Sequence, residues 1–424
     1  MTQTSGMGEM WRHKRVLAAS LIGTAVEFYD FYIYATAASL IFPALFFPAS
    51  SPTAQLMASY GSLALAFLAR PLGAAIFGHY GDRIGRKATL VTSLMLMGGC
   101  TLLIGFLPTH AQIGWWAPLI LCLLRFGQGL GLGGEWGGAA LLAVENAPPG
   151  WRARFGMFPQ LGAPVGFIAA NGLFLILATT LSDSDFLSWG WRLPFLASSV
   201  LVFLGLWVRL KLTETPEFAA ARAESPPPAV PLATLLSSHL GAAIAGTFAC
   251  AACFAVYYIA TAFALGYGTT ALKIDRSIFL SLQLGAILFM GGSIVIAGWW
   301  SDRSSPTRVL AWGCAGTVIM GLVFGPLLGA GALGPIFVAL ALALFLMGFV
   351  YGPLGAYLPA LFPIQLRYTG ASFAFNLGGI LGGALAPIVA TWLIAAQGVA
   401  LVGLYMSAAA AISLAGLWWT SRHP

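Results

Sequence analysis

The chain has 424 residues, of which 59% are hydrophobic and 8% charged, with a formal net charge of +7. A soluble domain carries about 25% charge, and a water-facing surface this apolar would aggregate, so a soluble globular protein is excluded. The basic residues fall in short loops and not on one aromatic-interleaved face, so no nucleic-acid partner is expected.

Apolar stretches of roughly 20 residues recur along the chain, each able to span about 30 Å of hydrocarbon. Backbones there must satisfy themselves, and long continuous runs favour helices over a barrel. Twelve spans are expected. They lie at 16–47, 55–77, 88–107, 115–144, 155–179 and 192–211, then 236–266, 277–299, 308–330, 334–360, 369–394 and 398–420. The basic opening Arg12-His13-Lys14-Arg15 starts like a signal peptide, but the run from Val16 to Phe47 is too long for one.

The long polar connector runs from Thr213 to Pro228, where consecutive prolines forbid a continuing helix. It sets the expected division: a six-helix bundle over 1–212, a cytoplasmic linker over 213–235 and a second bundle over 236–424. With both termini cytoplasmic, fifteen Lys and Arg lie inside and only Arg192, Lys273 and Arg276 outside. A multi-pass protein of the cell's inner (plasma) membrane follows, contacting lipid and monomeric. The five cysteines all fall in apolar segments. The pair Cys250 and Cys253 has metal-site spacing but no second pair or nearby His cluster, so no metal or cofactor is expected.

Between the second and third spans stands Gly78-His79-Tyr80-Gly81-Asp82-Arg83-Ile84-Gly85-Arg86-Lys87, expected as a short charged loop at a membrane face. A weaker copy, Gly298-Trp299-Trp300-Ser301-Asp302-Arg303, lies 220 residues further on, which points to a duplicated architecture. Ser304-Ser305-Pro306-Thr307 replaces Ile84-Gly85-Arg86-Lys87 in the copy, so a second-half gate with the full ionic network is not expected. The expected cytoplasmic gate comprises Gly78, Asp82, Arg83, Gly85, Arg86, Lys87, Glu145, Arg154, Asp302 and Arg303.

Ionisable residues inside spans are costly and mark function by default. Glu27, Asp30, Arg70, Arg125 and Glu135 qualify, all in the first half. Glu27 and Asp30 share a helix face near the midplane, and two close carboxylates in low dielectric cannot both ionise comfortably. They are the expected proton site, with Glu135 as a third candidate. Arg70 and Arg125 offer planar forks suited to a carboxylate, or serve as static ion-pair partners. Glu135 follows Gln128 by seven residues on one face, and the glycines around them suit close helix packing. The aromatic run Phe28–Tyr34 goes round the first span. Expected substrate contacts are Tyr34, Arg70, Arg125 and Gln128 from the first half, with Tyr257, Gln283 and Asn376 from the second. Tyr257 and Tyr258 are adjacent, so only one is expected to face a cavity.

Several stretches together carry a resemblance. Gly78 to Lys87 resembles the loop 2–3 signature of the major facilitator superfamily. Glu27-Phe28-Tyr29-Asp30-Phe31, Arg70-Pro71-Leu72-Gly73, Gly133-Gly134-Glu135-Trp136, Ser188-Trp189-Gly190-Trp191-Arg192-Leu193-Pro194-Phe195 and Arg367-Tyr368-Thr369-Gly370 resemble motifs of its metabolite:proton symporters. The segment Ala143–Gly150 is most similar to the shikimate-transporter branch. The resemblance implies an all-α membrane protein of twelve helices in two six-helix bundles that imports a small organic acid, such as shikimate, together with a proton by alternating access. Arg125-x-x-Gln128-Gly129-x-Gly131 also resembles a motif of proton-driven exporters, so an antiporter or facilitator stays open. A membrane enzyme or sensor is remote, because neither a nucleophile–base pair nor an appended soluble domain is visible.

Overall fold

The computed structural model describes residues 8, 10, 13–48, 51–84, 86–133, 135–210 and 231–422. Side chains are described for all of these except 78–84, 86–90, 135, 208, 209, 231, 421 and 422. Among the described residues the regular structure is helical, without strands. We number the long helices α1 (Lys14–Leu40), α2 (Pro52–Ile84), α3 (Arg86–Phe106), α4 (Trp116–Leu132, resumed at Glu135–Glu145), α5 (Arg152–Thr180) and α6 (Arg192–Leu210). The second half continues with α7 (Leu240–Thr270), α8 (Arg276–Arg303), α9 (Pro306–Leu328), α10 (Leu333–Ala360), α11 (Arg367–Gln397) and α12 (Ala400–Arg422).

Ten of these are long and apolar enough to cross a bilayer, and an eleventh crossing forms if the bent pair Asp183–Gly190 and Arg192–Trp207 is one span. The shorter apolar stretch Val91–Phe106, within α3, fills the remaining expected position. The burial pattern is that of a membrane protein. Phe106, Trp115, Trp116, Phe203 and Ile319 are exposed, while Glu27, Asp30, Arg70 and Arg125 are buried.

Three boundaries differ from expectation. The first span ends at Leu40, where Ile41 leaves helical geometry ahead of Pro43 in the short helix Phe42–Phe46; Pro43 has no amide hydrogen for the carbonyl four residues back, and its ring clashes there. The loop expected at Gly78–Lys87 has a helical backbone up to Ile84 and again from Arg86, with Gly85 outside the described residues. Most of the linker expected at 213–235 lies outside the described residues, and its last part already belongs to the helix Pro231–Ser238.

Helix pairing repeats with an offset of six. In the first half α1 packs on α5 and α6, α2 on α4, and α3 on α4 and α6. In the second half α7 packs on α11 and α12, α8 on α10, and α9 on α10 and α12. The halves meet mainly where α5 packs on α8 and α10, and where α2 packs on α11. The α2–α4 crossing is backbone on backbone. A Cβ on Gly73 would collide with the Leu130 carbonyl, and one on Gly129 with the Ala66 carbonyl. Small residues permit this approach, as expected of the glycines in the fourth span.

Candidate functional site

The buried charges of the first half gather around one ring. Phe31 on α1 lies between two guanidinium groups, with Arg70 at 4.4 Å and Arg125 at 4.1 Å from its centroid. Arg70 also covers Phe67 at 4.6 Å, and Arg125 covers Tyr34 at 4.0 Å. Cation–π contact compensates part of the desolvation of a cation that cannot give up its proton. The compensation is incomplete: Arg70 Nε and Arg125 Nε and Nη2 are buried without a hydrogen-bond partner among the described residues.

Asp30, one residue before Phe31, points about 100° away from it, into its own bundle. Its Oδ2 accepts a hydrogen bond from Thr101 Oγ1 on α3 at 3.0 Å, and its Oδ1 accepts one from Ser198 Oγ on α6. Gln128 on α4 joins this cage to Arg125. Its Nε2 donates to Thr101 Oγ1 at 2.8 Å, and its Oε1 accepts from Arg125 Nη1 at 2.9 Å. Glu27 is buried on α1 with Asp30. The side chain of Glu135 lies outside the described residues. Tyr34 is buried and shares a 2.7 Å hydrogen bond with Ser62.

The second half closes this surface with aromatic rings. Tyr257 stacks on Tyr32 at 5.0 Å, and Tyr258 meets Phe31 and Phe67 edge-on at 6.0 and 5.3 Å. Both tyrosines meet rings of the first half, but of the two only Tyr257 lines the cavity described below. Consecutive helix residues point about 100° apart, not opposite, so two neighbours can flank one inward direction. Trp136 stacks on Phe375 across the halves at 3.8 Å. The α7 backbone beyond Tyr258 widens into a π turn, Ile259–Phe263. Its carbonyls accept side-chain bonds: Gln283 Nε2 donates to Ala260 and Thr261, while Ser39 Oγ and Tyr60 OH donate to Ala262 from the first half. Such turns recur at functional sites. A cavity of about 10 Å³ remains among Tyr32, Thr36, Phe167, Tyr257, Thr261 and Gln283, roughly one water in size. Among the described residues these contacts join the two halves along this surface.

Asn376 spans the halves. The Gly133 carbonyl, one residue past the helix Trp116–Leu132, accepts Asn376 Nδ2 at 2.8 Å. The hydroxyls of Tyr257 and Tyr351 are buried, beside Tyr32 and Trp136 respectively. Sequence reasoning missed Gln160, which accepts from Trp136 Nε1 at 3.0 Å and donates to the Tyr351 carbonyl at 2.7 Å across the halves.

Of the expected gate, the described side chains are Glu145, Arg154, Asp302 and Arg303. Asp302 on α8 caps α5 from the other half. Its carboxylate accepts the Ala153 and Arg154 amides at 2.8 and 3.0 Å, and lies 3.3 Å from Arg154 Nε. A carboxylate at a helix N-terminus satisfies orphan amides and opposes the dipole. The second motif, though weakened, keeps a carboxylate that joins the two halves here. Arg303 lies over Trp299 at 4.2 Å, and Glu145 is half-buried. Gly78, Asp82, Arg83, Arg86 and Lys87 have side chains outside the described residues, and Gly85 is wholly outside them. At the opposite end Arg276 pairs with Asp183 at 2.6 Å, again joining the halves.

Residues 16–226 match the family model described as sugar (and other) transporter. The chain is 49% identical to the inner membrane metabolite transport protein YhjE of Escherichia coli K12, over 96% of this chain and 94% of that protein. It is 37% identical to the shikimate transporter of the same strain, over 90% and 88%. In fold it resembles the major facilitator superfamily proton:xylose symporter XylE, with a TM-score of 0.74 at 16% identity over 97% of this chain and 96% of that one.

Proposed function

The chain belongs to the metabolite transporters of the major facilitator superfamily, and from that premise we propose that it is a proton-coupled symporter for a small organic acid. It works by alternating access in the inner membrane, as a monomer of two six-helix bundles (1–212 and 236–424) joined by a cytoplasmic linker at 213–235, with both termini cytoplasmic. The observation that carries this reading is the pair of buried guanidinium groups around Phe31, with unsatisfied N–H donors, beside the buried carboxylates Glu27 and Asp30. Unsatisfied donors in a dry site suit an incoming carboxylate. The relative named as a shikimate transporter and the inner membrane relative support the substrate class and the location.

The roles follow from the positions. Glu27, Asp30 or Glu135 takes the proton. Arg70 and Arg125 hold the substrate carboxylate, with Tyr257 and Tyr34 lining the site. Gln283 and Asn376, bonded to backbone in the closed state, exchange those bonds for substrate when the halves part. Asp302, Arg154, Glu145, Arg303 and the Gly78–Lys87 segment close the cytoplasmic side. A thermal-shift screen of organic acids on purified protein names the substrate, and uptake into proteoliposomes under an imposed inward proton gradient tests the coupling. Uptake that neither accumulates nor responds to the gradient refutes it.

A further inference from the structure

Asp30 and Arg125 are joined by side chains alone. The route is Arg125 Nη1 to Gln128 Oε1, Gln128 Nε2 to Thr101 Oγ1, and Thr101 Oγ1 to Asp30 Oδ2, at 2.9, 2.8 and 3.0 Å. Every donor points the same way, from the cation towards the carboxylate. All four side chains are buried, with Arg125 and Thr101 at 0% exposure. Aligned chains of hydrogen bonds polarise one another, so each link is strengthened by the charge at either end.

Thr101 is the link that can change. Its hydroxyl carries one proton and has two acceptors within 3.0 Å: Asp30 Oδ2 and the Met97 carbonyl one turn back on α3. An ionised Asp30 attracts that proton. A protonated Asp30 becomes the donor to Thr101, and the threonine proton turns to Met97. The head-to-tail order is then broken at Thr101, and the polarisation that reaches Arg125 is lost. Glu27 and Tyr29 stand near Asp30 on α1, and Arg125 stands on α4; α3 and α6 meet it with the hydroxyls of Thr101 and Ser198.

We propose that Thr101 and Gln128 are positioning residues that transmit the charge state of Asp30 to Arg125, holding the guanidinium while Asp30 is ionised and releasing it to a substrate carboxylate once Asp30 is protonated. This rests on the proton-coupled reading above and adds the residues that make the coupling.

The test needs no substrate. Infrared difference spectra of the full chain in lipid nanodiscs are recorded as pH is stepped. The protonated-carboxyl band of Asp30 is assigned by its loss in Asp30→Asn, and the guanidinium band of Arg125 by its loss in Arg125→Lys. In the natural protein and in Thr101→Ser the two bands change at the same pH. In Thr101→Val the Arg125 band no longer follows Asp30, and Gln128→Met, which breaks the neighbouring link, gives the same separation if the valine variant does not fold. An Arg125 band that tracks Asp30 unchanged in Thr101→Val or Gln128→Met overturns the relay and leaves proton coupling standing. A natural protein with no titrating Asp30 band overturns the assignment of the proton to Asp30, and the relay with it.

Discussion

Removing Asp302 should open the side of the molecule that it closes. Its carboxylate supplies an N-terminal cap to α5 through two backbone amides and an ion pair to Arg154, with the Asp302 side chain 5% exposed. A lost cap costs about 1 kcal/mol, and a lost charge-assisted hydrogen bond about 1.5–3 kcal/mol. The closed state of Asp302→Ala therefore loses about 2–4 kcal/mol, roughly 30- to 900-fold in the closed-to-open ratio. Arg154→Ala keeps the backbone cap and should move the equilibrium less. Asp302→Asn keeps a capping oxygen and should fall between. Spin labels on α5 and α8 at this end, read by pulsed dipolar spectroscopy, report the two populations. An Asp302→Ala protein with the natural distance distribution refutes the reasoning, as does an Arg154→Ala protein that opens as far.

Gly73→Val places branched carbon against the Leu130 carbonyl, whereas a methyl group on Gly172 would meet no atom within 4 Å. Overpacking costs about 1–3 kcal/mol, so thermal unfolding followed by size-exclusion fluorescence should show a lower midpoint for Gly73→Val and no change for Gly172→Ala. Arg125→Lys should weaken carboxylate binding despite keeping the charge, because the planar fork is lost; calorimetric titration with the substrate found by screening decides it. The same titration should show affinity rising as pH falls. Glu27, Asp30, Arg70, Arg125 and Glu135 sum to minus one when all are ionised, and each proton taken up makes the site more receptive to an anion. Affinity that is flat with pH contradicts this. A cysteine introduced at Ala332 should react with an impermeant reagent from outside, and one at Ser225 should not.

Much of the architecture was legible because a bilayer allows few solutions. Apolar runs of membrane length had to be helices, and the repeated Gly-x-x-x-Asp-Arg spacing announced the duplication that the helix pairing displays. Asp30, Arg70 and Arg125 were legible as well, since a charge in such a run stands out. Thr101 and Ser198 were not. A hydroxyl in a membrane helix ordinarily bonds to its own backbone, as Thr101 can to Met97, and no spacing tells which one also reaches a carboxylate on another helix. Gln128 gave a signal, but its direction depends on the α3–α4 crossing. Asp302 was legible as a gate candidate from the repeated spacing, but its role as a helix cap was not, because the amides it meets belong to α5 of the other half. The first-span boundary was missed because apolarity continues through Phe47 while Pro43 interrupts the helix.

The central claim is that substrate and proton move together. Proteoliposomes holding the purified protein, with no membrane potential and equal pH on both sides, are given the screened organic acid outside, and external pH is followed with an impermeant dye. The account predicts alkalinisation as the acid enters, absent in the Glu27→Gln, Asp30→Asn double variant. Entry of the acid with no proton movement would contradict it.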